Sequence, residues 1–248
     1  MTHYTYHGKA DASKHIIYLH GGGYVMGDRH DLPLELLNLL SHNEHALIAL
    51  DYPLAPQSKV SDTVTFCENM INTLIETYAI QNLTLMGRSS GGNIILNIDP
   101  INIHCSIQKL ILFYTSASSD TTWMSDPIND LEIPINKKLV EEIGAISEPQ
   151  FQRSLQSAYS YYYSLRKLGI WPQTIGIHQA PILLDPSIPT FIALSIFDPD
   201  VPYHCAKVLR NTFTHSQMYT STARKHAIDH EANDLAQILE LLETFIAL

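Results

Sequence analysis

Short apolar runs rich in β-branched residues alternate along the chain with longer amphipathic stretches. Such runs are typical of buried strands, and apolar residues at helical spacing are typical of helices packed on a sheet. The predicted strands are Ile16–Leu19, Leu47–Leu50, Leu83–Met86, Leu110–Tyr114 and Phe191–Ile196, with Met218–Ser221 as a further candidate. The predicted helices are Leu34–Leu40, Val60–Tyr78, Gly92–Asn97, Pro202–Thr212 and Glu231–Ile246. This alternation predicts an α/β fold with a mostly parallel central sheet flanked by helices.

One long segment interrupts the alternation. Between Ser116 and about Pro189 the pattern predicts no strand, only helical pieces near Lys137–Ile143 and Gln150–Leu168. An excursion of this length within a compact domain is uncommon and is usually a lid or a binding element. We therefore predict a single domain, residues 1–248, with a helical cap insertion at about residues 116–189.

Composition and charge exclude several classes of protein function. Hydrophobic residues make up 45% of the chain and charged residues 16%, as in ordinary globular proteins. The formal net charge of −10 removes the attraction that draws proteins to nucleic acids and to anionic membranes. The sequence shows no apolar run long enough to span a bilayer. Its N-terminal residues do not have the basic stretch followed by an apolar run that is typical of a secretory signal. Cys67, Cys105 and Cys205 fit neither a disulfide framework nor a zinc site. We therefore expect a cytoplasmic protein with reduced thiols, no nucleic-acid partner and no stable membrane insertion.

The segment Gly87–Gly92, of sequence Gly-Arg-Ser-Ser-Gly-Gly, lies between the predicted strand Leu83–Met86 and a predicted helix. A Gly-x-Ser-x-Gly turn in this context exposes a serine hydroxyl above the sheet edge, because the serine backbone is strained and its neighbours must lack bulk. A flexible glycine-rich loop is the alternative, and the strand–turn–helix context disfavours it. Ser89 is the predicted nucleophile.

A second glycine-rich segment, His20–Tyr24 (HGGGY), follows the predicted strand Ile16–Leu19. Glycines let backbone N–H groups approach a substrate oxygen, and such donors stabilise the oxyanion of a tetrahedral intermediate. We predict an oxyanion hole made by the N–H groups of Gly22, Gly23 and Ser90, the residue after the nucleophile. A tight turn or a phosphate cradle is the alternative, but no phosphate-binding motif accompanies the glycines.

A serine nucleophile needs a base and a carboxylate that orients the base. The predicted strand Phe191–Ile196 is followed by Asp198 and Asp200. Asp198 is the preferred acid because it leaves the strand end directly, where α/β sites are built, and Asp200 is the alternative. Either could instead cap the helix that follows. The preferred base is His226, between the last strand and the final helix, with His230 as its competitor.

Three segments together resemble the hormone-sensitive-lipase-like carboxylesterases, the α/β-hydrolase branch that has a His-Gly-Gly-Gly motif. They are His20–Tyr24, the elbow Gly87–Gly92, and Asp51–Pro56, whose sequence Asp-Tyr-Pro-Leu-Ala-Pro is similar to the family's Asp-Tyr-Arg-Leu-Ala-Pro. The chain order Ser, Asp, His is also that of α/β-hydrolases. The pair Asp198-Pro199 resembles the family's Asp-Pro-Leu, which supports Asp198 as the acid.

The resemblance implies an α/β-hydrolase fold with an eight-stranded, mostly parallel sheet and a helical cap. It implies hydrolysis of short to medium acyl esters through an acyl-enzyme, with a small-molecule ester as substrate and with no metal or organic cofactor. His20 would be structural and order the oxyanion loop. The oligomeric state, including a homodimer, is left open.

The sequence departs from the family pattern at two places. Arg88 and Ser90 replace the usual Asp and Ala of the elbow, which we expect to alter local packing more than chemistry. The family's His-Gly-Phe is here His226-Ala227-Ile228.

An arylformamidase-like amidase and a short-peptide hydrolase are the alternative activities on the same fold. A non-catalytic ligand-binding module is the alternative from another class.

Aromatic residues are concentrated in the predicted insertion. They either pack the cap onto the main domain, which is favoured, or line an acyl pocket. They are Tyr159, Tyr161, Tyr162, Tyr163 and Trp171.

Overall fold

The computed structural model describes residues 2–117, 121–128, 133–177 and 182–247. Seven strands form one sheet: β1 (Tyr4–His7), β2 (Lys14–Leu19), β3 (His45–Leu50), β4 (Leu83–Arg88), β5 (Ile107–Phe113), β6 (Thr190–Ser195) and β7 (Ser216–Ser221). Their spatial order is β1-β3-β2-β4-β5-β6-β7. Strand β1 pairs antiparallel with β3, and all other pairs are parallel. The predicted fold class is thereby confirmed.

Eight helices connect and flank these strands in the described residues: α1 (Leu34–Leu40), α2 (Val60–Tyr78), α3 (Ser90–Leu96), α4 (Lys137–Gly144), α5 (Leu155–Lys167), α6 (Trp171–Ile175), α7 (Tyr203–Thr212) and α8 (Ala232–Ala247). Helices α1 and α2 have the bounds that the apolar periodicity predicts. Among the described segments, no helix combines the length and the apolarity that crossing a bilayer requires.

The structure differs from the sequence expectations at three elements. The resemblance implies eight strands, but the described residues form seven, because β1 alone precedes β2. Strand β1 is not predicted from the sequence, since its residues YTYH contain no apolar run and are half-buried; pairing with β3 defines it. Helix α6 has five residues, too few for a helical period to be visible. The helix expected from Gln150 begins only at Leu155.

The core lies on both sides of the sheet. Five of the six residues of β2 and of β3, and all six of β6, are buried, as expected for parallel strands covered on both faces. Since β2 to β7 run parallel, their carboxyl ends meet at one edge, where α/β proteins build their sites. The turns after β2, β4, β6 and β7 carry the predicted site residues to this edge.

The insertion between β5 and β6 contains α4, α5, α6 and a short 3₁₀ turn, Thr122–Ser125. We call these four elements the cap. Parts of the predicted insertion lie outside the described residues, at 118–120, 129–132 and 178–181. Within the described part, α5 contacts α4 and α6, and α6 contacts the 3₁₀ turn. The cap therefore consists of helices packed on one another above the carboxyl edge.

Candidate active site

Ser89 lies in a sharp turn between β4 and α3. Its φ of 50° and ψ of −117° are strained for a residue with a side chain, and such strain persists only where neighbours impose it. The Ser89 N–H donates to the carbonyl of Phe113 at 2.8 Å, and the Thr115 hydroxyl donates to the Ser89 carbonyl. A Cβ on Gly91 would lie 2.2 Å from the Leu19 carbonyl oxygen, so this neighbour must be glycine. The turn therefore has the strand–turn–helix geometry expected from the sequence.

The structure brings Ser89, His226 and Asp198 into one chain of hydrogen bonds. His226 Nε2 lies 2.9 Å from Ser89 Oγ, and His226 Nδ1 lies 2.7 Å from Asp198 Oδ2. The other carboxylate oxygen of Asp198 accepts from the backbone N–H groups of Asp200 and Val201, at 2.8 and 3.0 Å. Because the carboxylate can only accept, His226 Nδ1 carries a proton and Nε2 is left to accept the serine proton.

The two alternative residues bind elsewhere. The Asp200 carboxylate accepts from the Tyr162 hydroxyl at 2.8 Å and pairs with the Arg166 guanidinium. His230 Nε2 lies 2.9 Å from Arg88 Nη2. Asp200 and His230 therefore line the site without joining the hydrogen-bonded chain of Ser89.

Opposing effects set the basicity of His226. Burial lowers the pKa of His226, whereas the charge of Asp198, its hydrogen bond and the charge of Asp200 raise it, and Arg88 lowers it. The net pKa lies above the ordinary value of 6.5. The surroundings therefore favour the imidazolium that forms when a base accepts a proton.

The predicted oxyanion loop borders Ser89. Gly22 and Gly23 have φ values of 118° and 59°. A Cβ on Gly22 would lie 2.1 Å from the Met26 carbonyl oxygen, and a Cβ on Gly23 would lie 2.5 Å from the Tyr162 ring. Within the described residues, the N–H groups of Gly22, Gly23 and Ser90 donate to no protein acceptor. The glycines are thus required by backbone conformation and by close packing.

His20 and Tyr52 support this loop from behind. The fully buried His20 ring stacks on Tyr52 with 4.1 Å between ring centroids, and its Nδ1 donates to the Gly21 carbonyl at 2.7 Å. The Tyr52 hydroxyl donates to the His20 carbonyl at 2.9 Å and lies 3.2 Å from Ser90 Oγ. Asp51 accepts from the Arg29 N–H at 2.8 Å. The segment Asp51–Pro56 therefore links the glycine loop to the elbow.

Sequence reasoning missed the role of Arg88. We expected this residue to alter packing, but its buried guanidinium forms ion pairs of 3.0 Å with Asp31 and with Asp229, and it binds the Tyr114 hydroxyl. Asp229 is fully buried. The sequence signal that could have predicted this ion pair was a basic residue in the elbow, Arg88, together with an acidic residue, Asp229, three positions after the predicted base. Arg88 thus joins the turns that follow β2, β5 and β7.

The cap contacts the site through buried polar groups. Trp171 Nε1 donates to the Gly23 carbonyl at 2.9 Å. Arg166 donates to the Tyr162 hydroxyl at 2.7 Å and pairs with Asp200. The cap therefore contacts both the predicted oxyanion loop and the turn that carries the predicted acid.

A cleft of about 590 Å³ opens over Ser89, within the range of small-molecule sites. Its lining includes the polar residues Asp31, Arg88 and His230. It also includes the aromatic and apolar residues Ile128, Leu155, Tyr159, Tyr162 and Tyr163. In the part of the chain that the structure describes, no three His, Cys, Asp or Glu side chains converge as ligands for a metal ion.

Comparison with known proteins gives relatives with the same fold. A sequence profile for a family described as alpha/beta hydrolase fold matches residues 16–164, more than half of the chain. An alpha/beta hydrolase superfamily protein from Enterococcus faecalis has a TM-score of 0.84 and 25% identity over 98% of this chain and 93% of that chain. A protein of unknown function from Staphylococcus aureus has a TM-score of 0.84 and 23% identity over the same shares, a likeness of fold.

A relative with a named activity matches over a shorter region. The versiconal hemiacetal acetate esterase stcI of Emericella nidulans is 32% identical over 79 residues. These residues are 31% of this chain and 27% of that protein. The chain thus matches about a quarter of that esterase.

Proposed function

The chain belongs to the alpha/beta hydrolase fold family, and we propose that it is a serine carboxylesterase that hydrolyses short to medium acyl esters through an acyl-enzyme. The observation that carries the proposal is the hydrogen-bonded chain from Ser89 through His226 to Asp198 beside a glycine loop. Family membership and the esterase relative support a hydrolase of this class. The ester specificity and the residue roles are part of the proposal.

In the first half-reaction, Ser89 Oγ attacks the ester carbonyl while His226 Nε2 accepts the serine proton. Asp198 keeps the imidazole in the required tautomer and stabilises the imidazolium. The C–O bond of the alcohol then breaks, and the alcohol leaves with the proton from His226. Water, deprotonated by His226, attacks the acyl-enzyme in the second half-reaction, which releases the acid and regenerates Ser89.

The negative charge that develops on the carbonyl oxygen needs donors that are already oriented. The N–H groups of Gly22, Gly23 and Ser90 fill this role in the proposal, since they border Ser89 and have no acceptor in the described residues. Each such donor contributes about 3–4 kcal/mol of transition-state stabilisation in hydrolases of this type.

Hydrolysis of a p-nitrophenyl ester series tests the proposal. We expect wild-type protein to release p-nitrophenol and Ser89→Ala to lose on the order of 10⁴–10⁶-fold in kcat, because the nucleophile is absent. Ser13→Ala is the matched control: Ser13 precedes β2 at the opposite edge of the sheet and binds Glu44, so its loss leaves turnover unchanged.

Three results would contradict the esterase assignment. Full turnover by Ser89→Ala would exclude Ser89 as the nucleophile. Hydrolysis of N-formyl aryl amides or aminoacyl amides far above that of any ester would establish an amidase or a peptide hydrolase. Failure of a fluorophosphonate to label Ser89 in folded protein would favour a binding module.

A further inference from the structure

Two cavities of very different size meet at Ser89. The cleft of about 590 Å³ is lined by His226 as well as by Ser89. A separate cavity of about 10 Å³ also reaches Ser89, and its described lining includes Ser90, Ser116, Trp123, Met124 and Trp171 but not His226. Tyr162 and Gly23 border both spaces. The two spaces that Ser89 lines therefore differ strongly in volume and in their contact with His226.

The chemistry of ester cleavage decides which part of the substrate enters each space. His226 must protonate the departing alcohol, so the alcohol oxygen lies within about 3 Å of His226 Nε2. The alcohol therefore occupies the space that His226 lines, which is the large cleft. The acyl substituent extends from the carbonyl carbon away from the alcohol, and the small cavity, which Ser89 lines and His226 does not, is the separate space available to it.

We propose that the small cavity is the acyl site, that it admits an acyl group of only one or two carbons, and that the large cleft binds a bulky aromatic alcohol. This inference rests on the proposed function and restricts it, because medium acyl chains are excluded. A volume of about 10 Å³ is close to the smallest that accommodates one water molecule. A single methyl group, the substituent of an acetyl ester, is therefore the largest acyl substituent that we expect it to hold. A longer acyl chain requires the walls to move.

The walls of the small cavity resist such movement. The Trp171 indole is fixed by its hydrogen bond to the Gly23 carbonyl. The Arg166 guanidinium lies over the rings of Trp123 and Trp171, 5.2 and 4.7 Å from their centroids, at the distance of a cation–π contact. Arg166 is in turn paired with Asp200. Enlarging the cavity would break several buried contacts at once.

The large cleft has the opposite character. Its cap wall presents Tyr159 and Tyr163, whose rings stack with 6.1 Å between centroids, and the exposed side chain of Leu155. Rings and aliphatic groups of this kind favour an aromatic alcohol over a small hydrophilic one, because apolar burial and ring contacts both contribute. The predicted substrate class is the acetate or formate ester of an aromatic alcohol.

A crossed series of esters tests this assignment on the wild-type protein. Acetyl, butyryl and hexanoyl esters are each prepared with methanol and with 1-naphthol, and each kcat/KM is divided by the hydroxide rate constant of the same ester. We expect at least about a 10-fold loss from acetyl to butyryl, since added methylenes do not fit a filled space. We expect naphthyl acetate to exceed methyl acetate by at least about 10-fold.

Met124→Ala tests the acyl wall directly. Met124 is buried and lines the small cavity, so its truncation should raise the butyryl-to-acetyl ratio of kcat/KM by about 10-fold or more. Leu155→Ala, a truncation of similar size in the large cleft, should leave this acyl ratio unchanged and reduce the preference for naphthyl esters.

The outcomes separate this inference from the proposed function. No hydrolysis of any ester would overturn the esterase assignment itself. Hydrolysis that is equal for, or faster with, hexanoyl esters would overturn only the acyl-site assignment. If Met124→Ala fails to fold, inactivation of wild type by methyl and hexyl phosphonate p-nitrophenyl esters gives the same answer, because the phosphorus substituent occupies the acyl site. Equal normalised rates for the two would contradict the proposal.

Discussion

Asp198 and Asp200 show how two carboxylates two residues apart acquire different roles. Asp198 is oriented by two backbone N–H groups and faces His226, whereas Asp200 faces Tyr162 and Arg166 of the cap. Both carboxylates nevertheless raise the pKa of His226. Asp200 therefore influences the pKa of His226 through its charge without a hydrogen bond to it.

Asp200→Asn should shift the acid limb of the pH profile. In its proposed role as base, His226 must be neutral to accept a proton, so kcat/KM falls as the pH falls through its pKa, which lies above 6.5 in the wild type. Removing the Asp200 charge lowers this pKa, and the acid limb moves to lower pH. The measurement is kcat/KM for p-nitrophenyl acetate between pH 5 and 9. The control is Asp185→Asn, which removes an exposed loop carboxylate that is hydrogen-bonded to Ser187 and should leave the acid limb of the pH profile unchanged. An acid limb that moves to higher pH in Asp200→Asn would contradict the expectation.

Helix α5 joins the cap to the carboxyl edge of the sheet, where the proposed site lies. Tyr162 and Arg166 lie one turn apart on the same face, and both contact Asp200 of the turn after β6. Arg166 is almost fully buried, and among the described residues these partners and the aromatic rings around it compensate its charge. The buried Arg166–Asp200 ion pair thus joins α5 to the turn after β6.

Arg166→Met should lower the free energy of unfolding by about 3 kcal/mol, because it leaves Asp200 without its cation at a largely buried site. Lys138→Met is the matched control in the same cap: Lys138 pairs with Glu142 at 3.5 Å on an exposed helix face, where such pairs contribute less than about 0.5 kcal/mol. Urea denaturation of the three proteins measures both values. Equal losses in the two variants would show that the Arg166 pair does not stabilise the fold.

At the scale of the whole molecule, Arg88 connects distant parts of the chain across the carboxyl edge. It pairs with Asp31 of the turn after β2 and with Asp229 of the turn that also carries His226. Burial lowers the pKa of Arg88, but Tyr114, Tyr18, Asp31 and Asp229 together raise it well above its ordinary value. The guanidinium is therefore charged and connects the turns around Ser89.

A double-mutant cycle on Arg88→Met and Asp229→Asn should reveal this connection. Arg88→Met alone leaves the buried Asp229 charge uncompensated and should cost about 3–5 kcal/mol of unfolding free energy. The double variant should cost less than the sum, with a coupling of about 1–3 kcal/mol. The exposed pair Lys14–Glu44 provides the comparison cycle, with an expected coupling below about 1 kcal/mol. Additive costs for Arg88 and Asp229 would refute the link.

The sequence by itself determined the α/β alternation, strands β2 to β7 and the elbow at Ser89. Apolar periodicity reports burial directly, because a strand or helix that faces a core must be apolar at fixed spacing. The glycines of the elbow and of the loop His20–Tyr24 are recognisable in the sequence for a similar reason, since a backbone with no room for a Cβ admits only glycine. These features are local, and a single sequence carries them.

Only the tertiary structure decided which of several nearby residues face one another. Asp198 and Asp200, like His226 and His230, are close in sequence but bind different partners, and the packing of separate loops selects those partners. The half-buried strand β1 forms because it pairs with β3, and its sequence contains no apolar run that would predict a strand. The contrast between the two cavities at Ser89 likewise arises from cap residues far from it in sequence. Contacts between distant segments leave no periodic signal, so they appear only when the chain is folded.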